Sequence, residues 1–81
     1  MANQEFKNLT KSFSKINING SYYLYQMSIS YSIADVLDYL GFNKNVIVID
    51  YNGSVLEKSL WQKTFLRHND ALEILSIAGG G

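Results

Sequence analysis

Cysteine is absent from all 81 residues, which excludes disulfides, thiolate catalysis and cysteine metal sites. Histidine occurs once, at His68, too few for a histidine-based metal site or an internal catalytic triad. Neither sign of charge is in excess, because seven Lys and Arg balance seven Asp and Glu. That balance argues against nucleic-acid or anionic-membrane binding driven by bulk charge, and no basic cluster stands out locally. Long apolar runs are missing too: none reaches spanning length, and the N-terminus lacks the apolar core of a signal peptide. Together these absences predict a soluble, intracellular protein with no metal, nucleic-acid or membrane partner. What the chain does have is 47% hydrophobic and 14% aromatic residues, enough for the core of one small domain.

The six glycines sort into two groups. Gly20 and Gly53 sit in predicted turns and Gly41 ends a predicted helix. The other three close the chain as Ala78-Gly79-Gly80-Gly81, straight after the apolar run Leu72 to Ile77. None is left for a phosphate loop, so nucleotide binding by this chain alone is not expected. At a typical glycine usage of ~7%, three in succession at one chosen place arise in roughly 0.03% of chains. Glycine has the smallest cross-section and the widest conformational freedom. A tail of this kind threads a channel too narrow for side chains and presents the Gly81 carboxylate to another protein's active site. The competing reading is a frayed end.

Taken in order, residues 1–14 are polar, with Phe6, Leu9 and Phe13 as the only bulky apolar positions, and read as a mobile extension. Order is expected from Lys15. Ile16 and Ile18 alternate with Asn17 and Asn19, and Asn19-Gly20 is a strong two-residue hairpin signal. That loop pairs Ile18 with Ser21 and Ile16 with Tyr23, and puts Tyr23, Tyr25 and Met27 on the face of the isoleucines. Tyr31 to Phe42 reads as one helix, with Ser32 as N-cap, Asp35 closing a capping box and Gly41 as the left-handed terminator. Its predicted core face is Ile33, Val36, Leu37 and Leu40. Val46 to Ile49 reads as a strand buried on both faces or nearly so. Asn52-Gly53 is a second turn, Val55-Leu56 a short return, and Ser59 to Lys63 one helical turn packed by Leu60 and Trp61. Arg67 to Asp70 is a polar turn in which Asp70 supports the backbone and His68 is solvated. Leu72 to Ile77 is the last strand, with Leu72 and Ile74 toward the helix. Leu75 and Ile77 then face the open side, as candidates for a partner interface. The fold predicted is α+β: a β-grasp of residues 15–77, with one main helix on one face of a mixed four- to five-stranded sheet, and 78–81 as a flexible tail.

On these residues the sequence resembles the ThiS family of sulfur carriers, within the ubiquitin-like β-grasp superfamily. Ile16-Asn17-Ile18-Asn19-Gly20 is similar to the family's opening strand and turn, and Ile33-Ala34-Asp35-Val36-Leu37 to its helix start. Asn52-Gly53, Val55 and Trp61 resemble its middle section. Asn69-Asp70 stands where the family has Gly-Asp, with Glu73-Ile74 following. Ile77-Ala78-Gly79-Gly80-Gly81 is the most specific piece. Asn69 departs from the pattern mildly, since Asn tolerates a left-handed turn; the extension before Lys15 departs more.

The resemblance implies a carrier and not an enzyme, with no bound cofactor. An ATP-dependent activating enzyme would adenylate Gly81, and sulfur from a cysteine-desulfurase pathway would convert it to a thiocarboxylate. Thiazole synthase would receive that sulfur for the thiazole ring of thiamin. The expected location is the cytoplasm, or the chloroplast stroma for an organellar protein. Three rivals share the fold. The small subunit of molybdopterin synthase usually carries a proline pair before its tail, and this chain has no proline. A ubiquitin-like modifier would use the same terminus for an isopeptide bond, and a plain interaction module would leave it idle.

Overall fold

The computed structural model describes residues 12–77; the segments 1–11 and 78–81, with the expectations of a mobile extension and a flexible tail, lie outside the described residues. Five strands form one mixed sheet: β1 (Phe13–Ile18), β2 (Ser21–Gln26), β3 (Ile47–Tyr51), β4 (Ser54–Leu56) and β5 (Asp70–Ser76). A helix, α1 (Ile33–Leu40), lies between β2 and β3, and a short 3₁₀ turn (Lys58–Leu60) follows β4. The strand order is β2-β1-β5-β3-β4, with β5 parallel to β1 and antiparallel to β3. This is the β-grasp arrangement, with the last strand of the chain at its centre.

The first hairpin adopts the expected register, Ile18 opposite Ser21 and Ile16 opposite Tyr23. Asn19 and Gly20 both take positive φ, 52° and 89°, as a type I′ turn requires. The strand begins at Phe13, two residues before the expected Lys15. Ser14 hides this start in the sequence, because it is a polar residue on the buried side. It pairs with Tyr25, and its hydroxyl bonds the Nδ1 of His68. His68 is therefore exposed but not free in its turn. Met27 falls beyond β2 and is exposed.

Helix α1 is fixed at both ends. Asp35 N–H donates to the Ser32 hydroxyl at 3.0 Å and Ser32 N–H to the Asp35 carboxylate at 2.9 Å, a complete capping box. The first two helical N–H groups are taken by the turn after the 3₁₀ segment. Ile33 donates to the Thr64 carbonyl and Ala34 to that of Trp61. At the other end Gly41 sits at φ 80° and Phe42 N–H returns to the Leu37 carbonyl. The face turned to the core is Ile33, Ala34 and Leu37; Val36 and Leu40 are only half-buried. The difference from the predicted stripe has a geometric cause. The turn that receives the helix N-terminus holds Ala34 down, which rolls Val36 and Leu40 toward β2.

Ile47 and Ile49 are buried, but Val48 between them is half-buried on the uncovered face. The expectation of a strand buried on both faces or nearly so is thus corrected, since among the described residues only one face of this sheet carries a helix. Trp61 is 3% exposed and donates its indole N–H to the Leu56 carbonyl, whereas Leu60 faces solvent and does not pack the turn. The core joins Ile16, Ile18, Ile47, Ile49, Leu72 and Ile74 of the sheet to the helix and Trp61.

Both turn asparagines reach across to β5, which their role as turn formers does not reveal. Asn19 N–H donates to the Leu72 carbonyl, and its side-chain oxygen accepts the Ile74 N–H at 2.7 Å. Asn52, also at positive φ, donates its N–H to the Ala71 carbonyl and accepts the Ala71 N–H on its side-chain oxygen at 2.8 Å. Each amide stands in for a peptide group where the neighbouring strand turns away, so the ladder on either side of β5 is prolonged.

Candidate functional site

Alternation along β5 sorts its side chains by face. Leu72 and Ile74 are buried under the helix, while Leu75 is 54% exposed on the open face and Ile77 follows at 44%. The two proposed interface residues therefore lie on the side the sequence assigns to them. Val48 stands directly opposite Leu75, and Ile77 N–H donates to the Val46 carbonyl at 2.7 Å. The pairing holds the backbone to within one residue of Ala78. An apolar cluster of Val48, Leu75 and Ile77 thus borders the point where the chain leaves the sheet. Farther back on the same face, Asp50 stands opposite Glu73. An apolar exit end and an acidic far end give the face a polarity along β5.

Asp70, which opens β5, is buried and fully engaged. Its carboxylate accepts from the Tyr51 hydroxyl at 2.7 Å, the Asn52 side-chain amide at 3.2 Å and the Arg67 N–H at 2.7 Å. Burial, then the hydrogen bond to the Asp70 carboxylate and its charge, push the Tyr51 phenol up to about 12. Three accepted hydrogen bonds make this buried carboxylate a structural anchor. It locks the Arg67–Asp70 turn, in which Asn69 takes the left-handed conformation at φ 68°.

Among the described residues no three His, Cys, Asp or Glu side chains gather to hold a metal, and no buried side-chain polar atom lacks a partner. No described helix is long and apolar enough to cross a membrane. The other predicted site residues, Ala78, Gly79, Gly80 and Gly81, lie outside the described residues. What the geometry defines is a ubiquitin-like β-grasp domain whose central strand carries an open face that is apolar toward Ile77.

The ThiS family model matches residues 16–81, from the first buried isoleucine to the last glycine. The chain belongs to the ThiS family, a class of small carrier proteins. The crystal structure of a thiamine biosynthesis protein (ThiS) from Geobacter metallireducens superposes with a TM-score of 0.70 at 26% identity. That match covers 83% of this chain and 99% of the other. Among curated relatives, the uncharacterized protein ycf40 of Trieres chinensis is 38% identical over 64 residues, covering 79% of this chain and 85% of the relative. The ycf40 protein of Porphyra purpurea is 36% identical over 66 residues, covering 82% of this chain and 90% of the relative.

Proposed function

We propose that this chain is the sulfur carrier of thiazole formation in thiamin biosynthesis, with Gly81 as the acyl group that carries the sulfur. The observation that carries the reading is the family match, which runs from residue 16 through Gly81 and so includes the glycines that follow β5 in the sequence. A carboxylate is ionised at neutral pH and is a poor electrophile. One of its oxygens attacks the α-phosphorus of ATP held by the activating enzyme, pyrophosphate leaves, and an acyl-adenylate forms. A sulfur nucleophile from the desulfurase pathway then adds to the carbonyl carbon and AMP departs. The persulfide nucleophile leaves an acyl disulfide on Gly81. A second thiol of the sulfur-transfer partner then attacks its S–S bond, forms a disulfide with the donor sulfur and frees the thiocarboxylate on Gly81. No group of this chain needs to act as acid or base in these steps. Its part is to deliver the terminus, while Leu75 and Ile77 offer the apolar surface on which the partners dock.

The relatives that share the ycf40 name are plastid-encoded, which supports the stroma as the place of action.

The test is pyrophosphate exchange with the cognate activating enzyme, beside intact mass measurement of the carrier. The wild-type chain is expected to exchange and to gain the mass difference of sulfur for oxygen. Adding one residue after Gly81 moves the reactive carbon by up to ~3.6 Å and should abolish both signals. An extended, unprocessed chain that adenylates at the wild-type rate overturns the reading. Conjugates to other proteins in the host would instead identify a modifier, and an unmodified terminus a plain interaction module.

A further inference from the structure

We propose that β2 is a self-association edge, through which two copies of this chain join their sheets about a two-fold axis centred on Leu24. Natural sheets guard their edges with lysine, proline, bulges or very short strands. The far edge of this sheet follows that practice, since β4 has only three residues. The β2 edge does not. It is six residues long, pairs with β1 in unbroken register, and lies in a stretch, Ile16 to Ala34, without a single Lys, Arg, Asp or Glu. Tyr22 is 67% exposed and Leu24 72%. The nearest charge is on β1, where Lys15 stands opposite Leu24 and holds its ammonium 4.8 Å from the Tyr22 ring centre, clear of the outward backbone groups of β2.

The phase of the hairpin shows which backbone groups the edge offers. Met27 N–H donates to the Ser12 carbonyl, and bonded pairs alternate along an antiparallel ladder. Ser14–Tyr25, Ile16–Tyr23 and Ile18–Ser21 are therefore the pairs that exchange bonds within the hairpin. The N–H and carbonyl groups of Tyr22, Leu24 and Gln26 point away from β1. Of these, the Gln26 carbonyl already accepts from Ile29 N–H at 3.3 Å and keeps a second lone pair.

Outward groups on alternate residues fit an antiparallel copy of themselves. Leu24 meets Leu24 of the second copy and exchanges both backbone bonds with it, while Tyr22 meets Gln26 in the same way on either side. The intervening positions bring Tyr23 opposite Tyr25 of the second copy, an aromatic cross-strand pair formed twice. These rings lie on the helix side, where among the described residues Tyr23 and Tyr25 line a groove together with Val36, Tyr39 and Leu40. Absence of charge on β2 matters here, because the two-fold axis sets residue 24 against itself, where a charge would meet its like. With ~150–250 Å² for each aromatic side chain, Tyr22, Tyr23, Leu24, Met27 and Tyr39 supply on the order of 600 Å² per copy. Two copies then bury roughly 1,200 Å², at the lower bound of stable interfaces. The association should accordingly be concentration-dependent.

Sedimentation equilibrium on the full chain tests this, with circular dichroism to verify folding of each variant. Wild type is expected to pass with concentration from the 9.2 kDa monomer to twice that mass. Leu24→Lys sets two like charges directly opposite one another and should raise the dimer dissociation constant at least ~10-fold, as should Leu24→Glu alone. An equimolar mixture of the two should recover the dimer, because only a contact of residue 24 with itself makes those charges complementary. A wild-type chain that stays monomeric up to its solubility limit overturns the proposal. So does a dimer indifferent to Leu24→Lys, or one that the mixture fails to restore. A monomer that dimerises only after removal of residues 1–11 would assign the edge to that segment and also overturn it. Thiocarboxylate formation is read separately, so failure of the carrier reading leaves these outcomes unaffected.

Discussion

Replacing Asn19 isolates the contribution of one side chain to the strand that leads to the terminus. Asn19→Ala does two separable things. It removes the oxygen that accepts the Ile74 N–H, leaving that donor beside a nearly buried residue without a partner. An unsatisfied donor of this kind costs about 1–3 kcal/mol. It also places a Cβ-bearing, non-amide residue at φ 52°, which costs roughly 1–2 kcal/mol. The expected loss is about 3 kcal/mol, a large share of the stability of a domain this small. Asn19→Gly incurs the first cost but not the second, because glycine takes positive φ freely, and should lose about half as much. Asn19→Asp keeps the acceptor and tolerates the left-handed conformation, losing only the amide donor to the Ile74 carbonyl at 3.4 Å; it should lie within about 1 kcal/mol of wild type. Urea titration reads the order as a fall in midpoint at constant slope. Amide exchange at Ile74 should rise in the Ala and Gly variants and stay low in Asp. An Ala variant within about 0.5 kcal/mol of wild type, where neutral surface changes fall, refutes the clamp. An Ile74 amide that exchanges no faster does the same.

Two further expectations concern the open face and alkaline pH. Leu75→Lys should weaken binding to the activating enzyme and to the synthase, measured by calorimetry, while thermal unfolding stays cooperative with its midpoint within a few degrees of wild type; a collapsed transition would make Leu75 a core residue. Tyr51 carries a phenol raised from 10 to about 12 in the folded chain, so its contribution is complete below pH 10 and is lost as pH rises from 10 through 12. Urea midpoints should fall across that window in wild type and fall less in Tyr51→Phe; equal slopes in the two proteins would remove Asp70–Tyr51 from the stability of the turn.

How much of this was legible in the sequence follows from the range of each interaction. Ser32, Asp35 and Gly41 announce the helix ends because caps are local, and Asn19-Gly20 announces the hairpin register because a two-residue loop leaves no alternative. The faces of Leu72, Ile74, Leu75 and Ile77 follow from the pleat alone. Features that depend on distant parts of the chain were hidden. Ser14 reads as tail, since its burial depends on His68, 54 residues away. The roll of α1 depends on the carbonyls of Trp61 and Thr64. Asn19 and Asn52 are legible as turn formers, but their second task needs β5 beside them. Family resemblance supplied the carrier role that no local pattern encodes.

The placement of β5 has a mechanical consequence. Its terminus is the part of the molecule that partners would grip, and pulling on a strand at the edge of a sheet opens its bonds one after another, like a zipper. Here the strand is central, lying between β1 and β3, and the two asparagine amides add bonds near its middle and its start. A pull along the chain from Ile77 loads these bonds side by side in shear, so that none gives way until many do. The domain is built as a firm handle for its own last residues.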